Sequence, residues 1–291
     1  MPVRTLPTRP AVGGDTVDQV VEFYYRYLAR NRDLAVHFGQ FKKRLKADPQ
    51  AATAEAIVFS HLRAERLHPE LFEHPASGGP DFRCHPTAPF LVEVTSLDSA
   101  VVAKRSGLPA TISGPGGGAF GLITDRLLSE AKNKAPQLGR HPLPGVLAIV
   151  SDHAFSGILL DRLAAEYLMT SAPQFNVPLG GGPHYMTTDL KHAVFYRPLG
   201  VLNASGTPII APCRQSIAAI LLVAIDRRQV HVVGLLHPEA AFPFSPAWMP
   251  TVPFVQFDGL CTPNHIATQW IETDSGERVA TLPHRRVQYF S

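Results

Sequence analysis

Cysteine is scarce in this chain, and so is net charge. Three cysteines, Cys84, Cys213 and Cys261, stand far apart in 291 residues with no CxxC spacing. That excludes a disulfide framework and a cysteine zinc site, and a reducing cytoplasm is the expected setting. A formal charge of +3 is too small to announce a nucleic-acid partner, although a local basic groove is compatible with it. No apolar run approaches the roughly 18 residues of a membrane span. The longest, Ile217 to Ile225, suits a buried strand, and no membrane partner is expected. The leading MPVRTLPTRPAVGG has no apolar h-region, so no signal peptide is expected. The motifs GxSxG and HExxH, a P-loop and an EF-hand loop are missing, and the 13 histidines show no close metal-ligand pairing.

What the chain has is a normal apolar share, 45%, with 22 glycines and 27 prolines. The length is enough for a sizeable core, and the glycine and proline imply many loops and strands. Asp15 can cap a helix carrying Val17, Val20, Val21, Tyr24 and Leu28 on one stripe. A second short helix is expected after Asp33, with Phe38, Phe41 and Leu45 inward, ending at Pro49. A third, Ala-rich helix runs from about Ala51 to Leu67. From Pro69 the texture changes to short apolar runs between Gly and Pro, which read as strands at Glu70 to Glu73, Asp81 to Cys84 and Phe90 to Leu97. A helix from Phe120 to Ala135, a strand from Gly145 to Ser151, a helix from Ala154 to Met169 and strands at Ser216 to Asp226 and Val230 to Leu236 follow. The proline-punctuated remainder, from Pro238 on, is expected to wrap the surface as loops and short strands. No internal repeat is present, and the order of elements is a mixed α/β plan.

Chemistry concentrates in GGPDFRCHPTAPFLVEVTSLD, residues 78–98. Strand alternation sends Phe90, Val92 and Val94 one way and Leu91, Glu93 and Thr95 the other. Glu93 is thus an acid within an apolar strand, costly to bury unless it is paired or holds a metal. A turn at His85 to Pro89 folds the two strands into a hairpin and can bring Asp81 beside Glu93. Two adjacent carboxylates suit a hard cation such as Mg²⁺, which can generate a hydroxide nucleophile and neutralise a phosphodiester. The plainer reading of Glu93 is a ladder partner for Arg83.

Pro-Asp followed at this distance by Glu-Val-Thr on an apolar strand resembles the PD-(D/E)xK, restriction-endonuclease-like nuclease superfamily. The resemblance implies a core of helix, three strands, helix, strand, the order already read from Ala51 to Ser151. It covers the middle third of the chain. It also implies that Asp81 and Glu93, with the Val94 carbonyl, bind Mg²⁺ or Mn²⁺. The motif lysine two residues after the acid is replaced by Thr95, which can hold a water but carries no charge. Some members supply the lysine from the following helix, and Lys134 is the candidate. At about 100° per residue it falls within roughly 60° of Ile123, Leu127, Ala131 and Leu138, the stripe that should face the sheet. Pro136 is expected to kink or end that helix. Gln137 is similar to a glutamine that some members place against substrate or metal waters, and Glu55 to an acid often contributed by the first core helix. Glu55 shares a face with Val58, Phe59 and Leu62, so a metal-bridging water or a basic partner is expected beside it.

The expected organisation is a helical lead over residues 1–50, a nuclease-like α/β core with additions over 51–236, and a proline-rich extension over 237–291 packed on the same domain. Lys42, Lys43, Arg44 and Lys46 are candidates to grip a phosphate backbone, or else form a solvated helix face. His284, Arg285 and Arg286 have similar standing. The glycine-rich stretches 114–121 and 179–183 read as loops, the first suited to anions. Phe242, Phe244, Trp248, Met249, Val252 and Phe254 either seal the core or bury a homodimer contact. The leading functional expectation is a Mg²⁺-dependent nuclease on DNA before RNA, and the alternative is an inactive nuclease-fold binding or scaffolding protein. A small-molecule enzyme built on Asp152 and His153 is the third.

Overall fold

A computed structural model of the protein describes residues 16–73, 78–85, 87–98, 100, 104, 120–171, 174–176, 185–187, 190, 193–204, 208–226, 229–259, 266–274 and 277–287. The glycine-rich stretch 114–121 lies mostly outside them, and 179–183 and Cys261 lie wholly outside. Among the described residues no helix is long and apolar enough to cross a membrane.

Among the described residues three α-helices come first: α1 (Val17–Arg30), α2 (Ala35–Ala47) and α3 (Pro49–Ala64). The cap of α1 is Thr16 rather than Asp15. Its hydroxyl accepts from Gln19 N–H while Gln19 Oε1 accepts from Thr16 N–H, a reciprocal capping box. Pro49 does not close α2 so much as open α3: Asp48 accepts from Ala51 N–H at 3.0 Å, and Pro49, which has no N–H to satisfy, takes the first helical position.

Thirteen strands among the described residues follow or interleave: β1 (Glu70–Leu71), β2 (Phe82–Cys84), β3 (Phe90–Ser96), β4 (Gly145–Ser151), β5 (Gln174–Asn176), β6 (Tyr185–Thr187), β7 (Tyr196–Leu202), β8 (Pro208–Pro212), β9 (Ile217–Asp226), β10 (Gln229–Leu236), β11 (Phe254–Phe257), β12 (Ile266–Asp274) and β13 (Glu277–Val287). Helix α4 (Phe120–Leu138) joins β3 to β4, while α5 (Ser156–Leu159) and α6 (Arg162–Thr170) follow β4. The single helix expected over 154–169 is broken because Asp161 caps a fresh start at α6, accepting from Ala164 N–H at 2.9 Å.

Nine strands form one mixed sheet in the order β1-β2-β3-β4-β9-β10-β11-β12-β13, and β5–β6 and β7–β8 are separate hairpins. The β3–β4, β4–β9 and β10–β11 pairs are parallel. The architecture is therefore mixed α/β. Helices cover both faces. On one, α1–α3 bury Tyr24, Phe59 and Leu62 against Phe82, Val92, Val146 and Ala148. On the other, Leu127, Ala131 and Leu138 of α4, with α6, pack on Leu91, Leu147 and Ile149. Alternate residues of β3 and β4 thus enter different cores, as the pleat requires. Removing a ring as enclosed as Phe59 should cost about 3–5 kcal/mol.

The tail departs from the expected wrap of loops. Residues beyond 237 add three strands to the sheet edge, two of them 9 and 11 residues long. Of the six apolar residues expected to seal the core or a dimer contact, Phe244, Met249, Val252 and Phe254 are buried in the core that α1–α3 cover, and the Trp248 indole stacks on Phe90 at 5.5 Å. Phe242 is exposed.

Candidate active site

The β2–β3 hairpin sets the geometry. Its register pairs Cys84 with Phe90 and Phe82 with Val92, so one step beyond the strand Asp81 stands opposite Glu93. Arg83 pairs with Leu91 and not with Glu93, which removes the ladder-partner reading of that acid. Glu93 shares its face with Leu91, the face that α4 covers.

Helix α4 meets it there. Lys134 Nζ donates to Glu93 Oε1 at 2.5 Å, and Gln137 Nε2 donates to Glu93 Oε2 at 2.7 Å and to the Gly79 carbonyl at 2.6 Å. Residues three apart on a helix share a side, so one turn holds both carboxylate oxygens. The helix continues past Pro136 to Leu138 instead of ending before it. The proline removes only the bond to the Lys132 carbonyl, on the exposed side of the helix, where water can replace it.

Asp81 is also buried, and Oδ2 accepts from Val94 N–H at 2.7 Å. Among the described residues no cation pairs with it. Burial first, then the charges of Glu93 and Glu55, holds its carboxyl well above the usual carboxylate range. Burial also raises Glu93, against the opposing pull of Lys134. For Lys134 burial works to lower the pKa, but the bond to Glu93 and the nearby acids outweigh it, and the amine stays protonated.

Glu55 has the basic partner its position demanded. Arg44 Nη1 lies 2.6 Å from Glu55 Oε2, the Tyr24 hydroxyl donates to Oε1 at 2.8 Å, and Arg44 Nη2 reaches Glu73 at 3.6 Å. Arg44, Glu73, Asp81, Glu93, Val94, Lys134, Gln137 and Arg140 line a cleft of about 500 Å³.

Other expected residues fall elsewhere. Thr95 does not line the cleft; its hydroxyl donates to Glu130 Oε2 at 3.1 Å, and Glu130 is paired with Arg126 at 2.5 Å. The basic run on α2 is divided by the helix period: Arg44 turns to the cleft, whereas Lys42, Lys43 and Lys46 are exposed, Lys42 lying over the Phe38 ring. Those four side chains are not one patch. His284, Arg285 and Arg286 sit on β13, with side chains outside the description. Asp152 accepts from Gln50 of α3 at 3.2 Å, and His153 Nδ1 accepts from Phe155 N–H at 3.2 Å within the turn after β4.

The donor set fits a small hard cation. Main-chain N–H and C=O of one strand residue point to the same edge. Since Val94 N–H meets the Asp81 carboxylate, its carbonyl faces the same cleft. Glu93, though it accepts two bonds, keeps lone pairs. Among the described residues no three His, Cys, Asp or Glu side chains gather as a metal cage. Mg²⁺ does not need one, since it commonly takes one or two carboxylates and keeps waters. Comparison with protein-family models, curated proteins and solved structures gives no match.

Arg44, Glu73 and Tyr24 are the cleft and support residues that sequence reasoning did not single out as such. The signal for two of them was present: Tyr24 lies on the buried stripe of α1, and Glu55 called for a cation on the apolar face of α3.

Proposed function

We propose that the chain is a metal-dependent phosphodiesterase of the PD-(D/E)xK type that cleaves nucleic acid, DNA before RNA. The observation that carries this is the meeting of an unpaired buried carboxylate, Asp81, with a second carboxylate tied to a lysine, Glu93–Lys134, in one open cleft. A buried acid without a counter-ion is costly, and a divalent cation removes that cost. The element order α3, β1, β2, β3, α4, β4 supports the same reading, because it is the order of that superfamily's core.

Asp81, Glu93 and the Val94 carbonyl would hold Mg²⁺ or Mn²⁺. Such an ion supplies an acidified water as nucleophile and neutralises charge on the phosphate. The chain's own part is positioning. Gln137 fixes the Glu93 carboxylate and ties it to the Gly79 backbone. Lys134, protonated and less than a third exposed, presents a charge to a phosphate in the cleft, the task that Thr95 cannot perform. Arg44 holds Glu55 neutralised behind the site and gives the cleft wall a second cation.

The test is incubation of the purified chain with supercoiled, linear and single-stranded DNA and with RNA, in Mg²⁺ or Mn²⁺. Cleavage that disappears on adding a chelator and in Glu93→Ala is the expected result; undiminished cleavage in Glu93→Ala overturns the site. Thr95 in the lysine position favours a second reading, a nuclease-fold protein that binds without cutting. Nucleic-acid binding with no product under any of these conditions would select it.

A further inference from the structure

We propose that Pro80 is a positioning residue: having no N–H, it keeps the Val94 carbonyl out of the β-ladder and open to the divalent cation. The inference rests on the reading of the cleft as a metal site. It follows from register and strand direction. Leu91 N–H bonds the Pro144 carbonyl and Leu97 N–H the Val150 carbonyl, so the odd residues of β3 direct their main-chain groups to β4. The even residues, Phe90, Val92 and Val94, direct theirs to β2. Their ladder partners there are Cys84, Phe82 and, by the same register, residue 80.

In a continued hairpin residue 80 would exchange two bonds with Val94. Proline cannot supply the donor. The Val94 carbonyl therefore has no ladder bond to accept, and its N–H is taken by the Asp81 carboxylate at 2.7 Å. Asp81, between Pro80 and β2, directs its main chain the other way, as the bond from Phe72 N–H to the Asp81 carbonyl shows. Gly78 and Gly79, at φ 66° and 143°, bring the chain into Pro80 at a conformation foreign to a strand. One residue thus ends the ladder at the point where an acid and a free carbonyl are needed side by side.

The experiment is calorimetric titration of the full chain with Mn²⁺ and with Mg²⁺. Wild type should bind and Asp81→Asn should not; a wild type that binds neither ion defeats the metal reading and this inference with it. If that pair behaves as stated, Pro80→Ala, which restores an N–H opposite Val94, should bind about 10-fold more weakly or worse, the usual cost of a lost outer support. An ester at position 80, introduced as lactic acid by nonsense suppression, lacks both ring and N–H and should retain wild-type affinity. Wild-type affinity in Pro80→Ala overturns the inference alone. So does an ester variant that is weakened, because ring rigidity and not the missing donor would then be responsible. The ester result stands even if Pro80→Ala fails to fold.

Discussion

Helix α4 carries two polar clusters about one turn apart, alike in composition and opposite in consequence. In one, Glu93 is held by Lys134 and Gln137; in the other, Glu130 is held by Arg126 and Thr95. Both acids are buried and both have a cation and a third polar partner. The difference lies in what surrounds them. Beside Glu93 stand a second acid with no counter-ion among the described residues and a strand carbonyl facing an open cleft. The Glu130 cluster does not line that cleft. A buried ion pair alone is thus poor evidence of a site, and the informative feature is the excess of negative charge and free acceptors left after pairing.

The strongest way to break the comparison is Asp81→Asn, which keeps an acceptor for Val94 N–H and removes the unpaired charge. Cleavage should fall on the order of 1,000-fold, measured as initial rates on supercoiled DNA, while the urea midpoint holds or rises. A rate within tenfold of wild type would place the chemistry elsewhere. Next comes Lys134→Met, expected to lower cleavage on the order of 100-fold and stability by about 3 kcal/mol through the stranded Glu93 carboxylate. Adding Thr95→Lys to that variant should not restore the rate, because a lysine at 95 meets Glu130. Recovery would show that the two clusters communicate.

Titration sharpens the contrast further. His61 on α3 is buried, neither ring nitrogen has a partner among the described residues, and burial lowers its pKa to about 4. Its folded pKa lies below the unfolded value, so the unfolded chain takes the proton first. Stability is lost as pH falls from about 6.5 towards 4, by about 3 kcal/mol. Asp81 acts with the opposite sign: its raised pKa means that, without divalent ions, stability declines as pH rises above the ordinary aspartate value. Urea midpoints against pH should show both slopes in wild type; Asp81→Asn should keep the histidine slope and a shallower decline at higher pH, the remainder belonging to Glu93, Glu55 and Glu65, whose carboxyls burial also raises. The smallest effect belongs to Glu130→Gln, about 1–2 kcal/mol of stability from the loosened bonds to Arg126 and Thr95, with cleavage unchanged.

Much of this was readable before the fold. The pleat of β3 put Glu93 with Leu91, the stripe of α4 put Lys134 with Leu127 and Ala131, and a hairpin over 85–89 put Asp81 opposite Glu93. Each inference needed only a period and a turn. What escaped had weaker periods or longer reach. β12 and β13 mix polar and apolar residues along ATQWIETD and ERVATLPHRRV and are recognisable mainly from each other's pairing. The hairpin β7–β8 carries Pro198, Pro208 and Pro212, which argue against strands except in isolated two-stranded pairs such as this one. Arg44 was hidden in a run of like charges, although the helix period sends it away from Lys42 and Lys46. The sequence displays charge but not which member of a run finds a buried acid.

That last point bears on where the molecule can be cut. The corner at Asp48–Pro49 separates the helical lead from every residue of the proposed catalytic set, and a boundary there looks natural. Yet Arg44 and Tyr24, both upstream of it, supply both of the bonds to Glu55. A chain trimmed at residue 49 would retain Asp81, Glu93 and Lys134 and strand an acid behind them. The lead is a counter-ion held at the end of a helix, and the unit that keeps Glu55 paired is longer than the proposed catalytic core.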